Sequence, residues 1–441
     1  MQRAGLAIAN FAMAITPHAK VIWIPCGPGN NGGDGYEAAA YLKSWGKCPI
    51  VTSMSGLSDT PIDAAVARAK AINAGVLFAD AAPTQYDLCI DAMFGIGRIR
   101  PLDSVCATWV QRINTRLAPV LAVDVPSGLD ADTGIAPAWH VKADYTLSLL
   151  TLQPGLFTAD GREACGEIWF NNLEINALTG VCAHLTRRPR PPNRAHNSHK
   201  GSYGDICVIG GSPGMAGAAL LAARAAIRSG AGRVYVSMLD SATMRLDASQ
   251  PELMFRDLTD MNLGAMTVVA GCGGGEAIHA HLPTLLTQSA RLVLDADALN
   301  AIANDASLQK VLTVRPASST VLTPHPLEAA RLMKISSADV QANRLAVAQA
   351  MADRFACVVA LKGSGTVIAA PGAVPHINTT GNARLATAGT GDVLAGLIGA
   401  RFAAGTDAFS SACDSVFHHG QAADGWRSIT TMTAQDLAEA L

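Results

Sequence analysis

Ala388-Gly389-Thr390-Gly391-Asp392-Val393-Leu394-Ala395-Gly396 sets a carboxylate between glycines at the start of an apolar helix of small residues. Amide groups at a helix start carry partial positive charge and can stabilise a phosphoryl group in transit. A carboxylate beside them can deprotonate an attacking hydroxyl. Capping of the helix by Thr390 or Asp392 is the plain alternative. Outward from this stretch, apolar runs of strand length recur at Asp205 to Ile209, Arg233 to Ser237, Thr267 to Ala270, Leu292 to Asp295, Thr320 to Thr323 and Cys357 to Leu361. Helical patterns fall at Met215 to Ser229, Pro326 to Met333, Ala338 to Phe355 and Gly391 to Ala403. Alternation of this kind implies a parallel sheet covered by helices, with ligands beyond the C-terminal ends of the strands.

Further stretches of this half sit where strands give way to turns. His199-Lys200-Gly201-Ser202-Tyr203-Gly204 precedes a strand ending in Gly210-Gly211. Gly214-Met215-Ala216-Gly217-Ala218-Ala219 then starts a helix whose small residues admit either a ligand or a tightly packed neighbour. Gly271-Cys272-Gly273-Gly274-Gly275 follows the strand at Val268 to Ala270. Thr323-Pro324-His325-Pro326-Leu327-Glu328 opens a helix with proline at its first position, so His325 either meets a ligand or simply occupies the turn. Lys362-Gly363-Ser364-Gly365-Thr366 is a phosphate cradle or a hairpin turn, and it lacks the residue order of a Walker A loop.

The first half has the same alternation. Strands are expected at Val21 to Pro25, Ile50 to Ser53, Leu88 to Asp91, Val120 to Val125 and Tyr145 to Leu149, and helices at Tyr36 to Trp45, Pro61 to Ala74 and Ser104 to Arg116. Gly29-Asn30-Asn31-Gly32-Gly33-Asp34-Gly35 follows the first strand, and its glycines can bare backbone amides to a phosphate ahead of a helix. Asp91 through Gly97 and Val123-Asp124-Val125-Pro126-Ser127-Gly128-Leu129-Asp130 end two other strands. Each aspartate could serve an Asx turn, but several polar turns at the ligand edge of one sheet point to a site. Met1 to Ala9 reads as the middle of a helix without an N-cap signal, so the native reading frame is expected to begin earlier.

Arg187-Arg188-Pro189-Arg190-Pro191-Pro192-Asn193-Arg194 interrupts the alternation and reads as a linker over 187–195 between domains at 1–186 and 196–441. The 441 residues are 49% hydrophobic and 15% charged, with a net charge of -2, which suits large buried cores and gives no field to recruit nucleic acid or an anionic membrane. Ten scattered cysteines without C-x-x-C spacing signal neither a zinc site nor a redox pair, and fit reduced thiols in a cytoplasmic protein.

Asn30-Asn31-Gly32-Gly33-Asp34-Gly35, Asp91 through Gly97 and Val123 through Asp130 together resemble the NAD(P)H-hydrate epimerase domain. The resemblance implies a Rossmann-like doubly wound sheet and a potassium ion held by Asn31, Asp91 and Ser127. It also implies contact of the hydrated dinucleotide with Asn30, Asn31, Gly32, Gly33, Asp34, Gly95, Ile96, Gly97, Arg98, Ile99, Arg100, Pro101 and Asp124. Asp124 is then the acid/base that moves the proton during epimerisation. Epimerase domains usually carry a further helical segment ahead of this start.

The Gly-x-Gly-Asp turn at Gly389 to Asp392 resembles the ribokinase-like superfamily. With His199 to Gly204, Pro251-Glu252-Leu253-Met254, Leu294 to Leu299, Thr323 to Glu328 and Asn382, the second half resembles the ADP/ATP-dependent NAD(P)H-hydrate dehydratase. This resemblance implies an α/β/α sandwich with Ala218, Gly273, His325 and Asp392 at the hydrate. It places Lys362, Gly363, Ser364, Gly365, Thr366 and Gly391 at ADP or ATP, with Asp392 as base and Mg²⁺ on the phosphates. The whole chain is then an α/β protein of two domains that repairs NADHX and NADPHX and forms a homo-oligomer. Two rivals are a small-molecule kinase of the same superfamily and an epimerase-like domain that serves only as a binding scaffold. Retention of Asp91, Asp124 and Ser127 speaks against the scaffold.

Overall fold

The computed structural model describes residues 1–54, 60–97, 104–136, 139–175, 180–190, 194–240 and 245–441. Two compact units divide the chain, Met1–Gly180 and Val181–Leu441. The boundary read from sequence at 186 thus falls inside the second unit, because His184–Leu185 pairs with that unit's sheet. Within the proline-rich run, residues 191–193 lie outside the described residues.

The first unit holds β1 (Val21–Cys26), β2 (Cys48–Ser53), β3 (Leu77–Ala79), β4 (Leu88–Asp91), β5 (Val120–Val123), β6 (Tyr145–Leu149) and β7 (Glu167–Asn171). They form one parallel sheet in the order β3-β2-β1-β4-β5-β6-β7. Ile22, Ile24 and Leu121 pack on one face with Ile8 and Leu42 from helices, while Trp23 and Cys89 pack on the other with Trp109 and Ile113. Burial on both faces explains why the central strands read as continuous apolar runs.

The second unit holds β8 (His184–Leu185), β9 (Asp205–Gly210), β10 (Arg233–Met238), β11 (Met254–Phe255), β12 (Thr267–Ala270), β13 (Arg291–Leu294), β14 (Thr320–Leu322), β15 (Val358–Leu361), β16 (Val367–Ala369) and β17 (His376–Ile377). Their order is β11-β10-β9-β12-β13-β14-β15-β16-β17-β8. The run from β11 to β15 is parallel; β16 is antiparallel to both of its neighbours. Helices Ala216–Arg228 and Thr390–Ala403 cover one face and Leu282–Gln288 and Ala296–Asn304 the other. In each sheet the direction of strand addition reverses once, between β1 and β4 and between β9 and β12. Loops leave such a reversal in opposite directions and open a crevice beyond the strand ends.

Local structure departs from the sequence reading in three informative places. The helix expected from Tyr36 begins at Asn30, so Gly32, Gly33 and Gly35 lie inside it. A methyl on Gly32 would stand 1.9 Å from the Gly27 carbonyl oxygen, and one on Gly35 would stand 2.6 Å from Ala92 Cβ. These glycines therefore let the helix press onto the strand ends. The strand expected to reach Val125 ends at Val123, and Asp124 turns out of the sheet with φ +67°. The helix expected over Ala338 to Phe355 is two, Ser337–Ala342 and Arg344–Phe355, broken at Asn343, whose side chain accepts from Ala346 N–H. Gln2 to Ala9 is helical and belongs to the helix Gln2–Ile15, with Met1 as its N-cap.

Candidate active sites

In the first unit the site forms at the β1–β4 reversal. Asp91, fully buried at the end of β4, accepts from the Ser127 hydroxyl at 2.7 Å and the Ser127 amide at 2.8 Å. Ser127 in turn accepts the Phe94 amide at 2.9 Å, which ties the loops after β4 and β5 together. Burial raises the Asp91 carboxyl to about 6 against the opposing hydrogen bonds from Ser127 and Met93.

Asn31 and Asp124 meet across Gly95: a methyl there would stand 3.1 Å from Asn31 Oδ1 and 3.4 Å from Asp124 Oδ2. Any side chain on Gly95 would fill the gap between them. Asp124 accepts from the Leu149 amide at 3.2 Å, and burial raises it to about 6. Left-handed backbone at a non-glycine residue is costly and gathers at functional sites. Asn31 Nδ2 is buried without a hydrogen-bond partner among the described residues, a polar group whose bond a ligand could supply. Burial, reinforced by Asp124 and Glu37 and opposed by the N-terminal ammonium, lifts Asp34 to about 7. Asn30 begins the helix beside Asn31. Ile96 is exposed and Gly97 has open space around its Cα. Arg98, Ile99, Arg100 and Pro101 lie outside the described residues.

In the second unit four strand ends and one helix converge. Lys362, after β15, donates to Asp295 Oδ1 at 2.6 Å, and the Thr323 hydroxyl after β14 donates to the same oxygen at 2.8 Å. A methyl on Gly391 would stand 3.2 Å from Lys362 Nζ and 3.8 Å from Asp295 Oδ2, so the Thr390–Ala403 helix starts directly against this pair. Asp392 sits in its first turn, lifted to about 7 by burial and by the neighbouring Asp295. Cys272 Sγ and carboxylate oxygens of Asp295 and Asp392 lie within 4.8 Å of one another. Burial by itself would depress the Lys362 ammonium, but Asp295 and Glu328 outweigh it and hold its pKa above the ordinary value. Burial also lifts Glu328 to about 7.

Ala218 and Gly273 face each other: a methyl on Gly273 would stand 2.9 Å from Ala218 Cβ. Other small residues of this region serve packing, since a methyl on Gly396 would stand 1.9 Å from the Ala222 carbonyl oxygen. His325 caps the helix Pro326–Met333: Nδ1 accepts the Leu327 and Glu328 amides, and Nε2 lies 3.2 Å from Glu328 Oε1. Both ring nitrogens are engaged locally, while the side chain stays 46% exposed and can present its face to a ligand.

Sequence reasoning gave no role to Asp295, Thr323, Glu328 or Arg344. Asp295 and Thr323 each end an apolar strand, the same signal that singled out Asp91. Arg344, 1% exposed, hydrogen-bonds the Leu361 and Lys362 carbonyl oxygens at 3.1 Å each and that of Gly365 at 3.4 Å.

Comparison with known proteins identifies the family. Residues 206–441 match the family model described as NAD(P)H-hydrate dehydratase, and residues 1–155 that of the YjeF-related protein N-terminus. The bifunctional NAD(P)H-hydrate repair enzyme Nnr of Escherichia coli K12 is 36% identical over 452 residues, covering 96% of this chain and 84% of its own. Its namesake in Coxiella burnetii is 34% identical over 444 residues, covering 96% and 89%. Among solved structures, a ribokinase-like superfamily protein of Enterococcus faecalis is 26% identical over 56% of this chain and 88% of its own, with a TM-score of 0.50. No helix among the described residues is long and apolar enough to cross a membrane. Two family models in tandem, and relatives that match almost the whole chain, establish that it belongs to the family of bifunctional NAD(P)H-hydrate repair enzymes.

Proposed function

We propose that the first unit interconverts the R and S epimers of hydrated NADH and NADPH and that the second dehydrates the S epimer at the expense of ADP or ATP. The observation that carries the reading is the meeting of Gly391, Lys362 and Asp295 at the helix that bears Asp392. Asp392, ionised above about pH 7, takes the proton of the substrate hydroxyl as its oxygen attacks the terminal phosphoryl of ADP. AMP leaves. The C–O bond to the new phosphate then breaks, a ring proton is lost, and NAD(P)H and inorganic phosphate result. Hydroxide is a poor leaving group and phosphate a good one, so the nucleotide is consumed.

The nucleotide is assigned to Lys362 through Thr366 with Gly391, and the hydrate to Ala218, Gly273, His325 and Asp392. Mg²⁺ would offset phosphate charge. Because Lys362 already neutralises Asp295, the ion is expected on the phosphates rather than in a cage of protein carboxylates.

In the first unit Asp124 is assigned the acid/base step, and Asn30 through Asp34 with Gly95 through Pro101 the dinucleotide. The donor set of Asn31, Asp91 and Ser127 fits K⁺: its ligand atoms are oxygens, and no described ammonium or guanidinium pairs with the buried Asp91 carboxylate. The ion would order the loops after β4 and β5. Ten free cysteines, most of them buried, suit a cytoplasmic protein; a homo-oligomer is part of this reading and is checked by sedimentation.

A coupled assay tests the function. Hydrated NADH of mixed epimers is incubated with ADP or ATP and recovery of dihydronicotinamide absorbance is followed. Complete recovery supports both activities; a stop near half supports the dehydratase alone. A stable phosphorylated product without recovery would favour the small-molecule kinase.

A further inference from the structure

Beneath the turn assigned to the nucleotide lies a buried cation. The break at Asn343 starts a new helix and aims its first residue, Arg344, inward. Its guanidinium donates to the carbonyl oxygens of Leu361, Lys362 and Gly365 and, at 2.7 Å, to Gln341 Oε1. Burial lowers its pKa only to about 10, so it is charged at neutral pH. Gly363 makes room for it: at φ +136° a methyl would stand 2.8 Å from Arg344 Nη1. Burying a guanidinium is costly, and an apolar residue would serve packing better. A cation in low dielectric attracts an anion on the far side of a thin turn strongly, and carbonyls drawn toward it point away from that anion.

We propose that Arg344 is a positioning residue for the nucleotide: it holds the Lys362–Gly365 turn in shape from below and lends its charge to phosphate binding. This rests on the assignment of that turn to ADP or ATP. The test uses the intact protein with Arg344→Met and Arg344→Lys. The readouts are steady-state dehydration with ADP varied and hydrogen exchange of residues 362–366 with and without ADP.

Arg344→Met should raise the KM for ADP roughly tenfold or more. It should leave the KM for the hydrate, and kcat at saturating ADP, within about twofold. Lysine keeps the charge without the fork and should recover part of the loss. Because lysine lacks the fork, a KM for ADP above that of the unaltered protein in Arg344→Lys decides the matter if Arg344→Met does not fold. An unchanged KM for ADP in a folded variant overturns the proposal. Absence of ADP protection at 362–366 in the unaltered protein overturns the nucleotide assignment instead.

Discussion

Lys362 and Asp295 form a 2.6 Å ion pair directly under the first turn of the helix that carries Asp392. After burial, Asp295 is the main reason that Asp392 titrates at about 7. A base must be ionised to work, so dehydratase kcat/KM should fall about tenfold per pH unit below that value. Asp295→Asn removes a like charge and frees the Lys362 ammonium, and both changes favour ionised Asp392. The acid limb of the pH profile should therefore move to lower pH even as turnover suffers. Asp392→Asn should lower turnover by ~10²–10⁴ with the fold intact. Near-normal turnover in that variant removes Asp392 from the base role.

Gly95 separates Asn31 from Asp124, and its missing side chain is the space between them. Gly95→Ala should block epimerisation with little change in melting temperature, because the methyl would meet side-chain oxygens rather than backbone. Asp124→Asn should stop epimerisation even at high potassium. Neither should alter dehydration of the preferred epimer. Chromatographic separation of the two epimers over time measures both effects; a folded Asp124→Asn that still equilibrates them rules out the acid/base assignment.

What was legible in sequence followed from burial on both faces of a sheet. β1, β4, β5, β9, β12 and β13 read as apolar runs, and the aspartates at or just beyond the ends of β4, β5 and β13 stand out against them. Strands at or next to the sheet edges were not legible. β7 mixes exposed and half-buried residues without a period of two, and β8, β11 and β17 have two residues each, too short for any period. The glycines before Tyr36 were read as a loop because glycine usually breaks helices; here close contact with the strand ends outweighs that cost. Arg344 was invisible because a charged residue in a helical pattern normally faces water.

The assignment of potassium to Asp91 predicts an ion-dependent stability with a definite sign. Its folded pKa is about 6, above an unfolded value of about 3.9. Folding therefore takes up a proton, and this group's contribution is fullest below about pH 4 and declines as pH rises toward 6. A cation bound by the ionised carboxylate reverses that loss. Potassium should raise the melting temperature of the first unit at pH 8 and have little effect at pH 5. Asp91→Asn should abolish the difference. Equal potassium effects at both pH values would show that the ion, if bound, does not use this carboxylate.

The beginning of the second unit is hydrogen-bonded to the turn assigned to the nucleotide. β8 closes the edge of the sheet: the His184 amide donates to the Pro375 carbonyl at 2.9 Å and the Thr186 amide to that of Ile377 at 3.0 Å. The Thr186 hydroxyl reaches Asn378 Oδ1 at 2.9 Å, and the Asn378 amide donates to the Thr366 carbonyl at 2.9 Å. A chain of hydrogen bonds therefore runs from the segment ahead of the proline-rich run to the last residue of the Lys362–Thr366 turn. A chain starting at Val181 keeps it, whereas one starting at Ala195, where the sequence reading would have cut, loses it and bares β17 as an open edge. Both are expected to fold, since the sheet from β9 to β15 is complete in each. The shorter chain should melt lower, aggregate more readily and show a higher KM for ADP, with kcat at saturation close to that of the longer one. Side-by-side thermal denaturation and ADP titration of the two chains decide it. Identical melting and identical ADP dependence would mean that residues 181–194 support neither the sheet edge nor the turn.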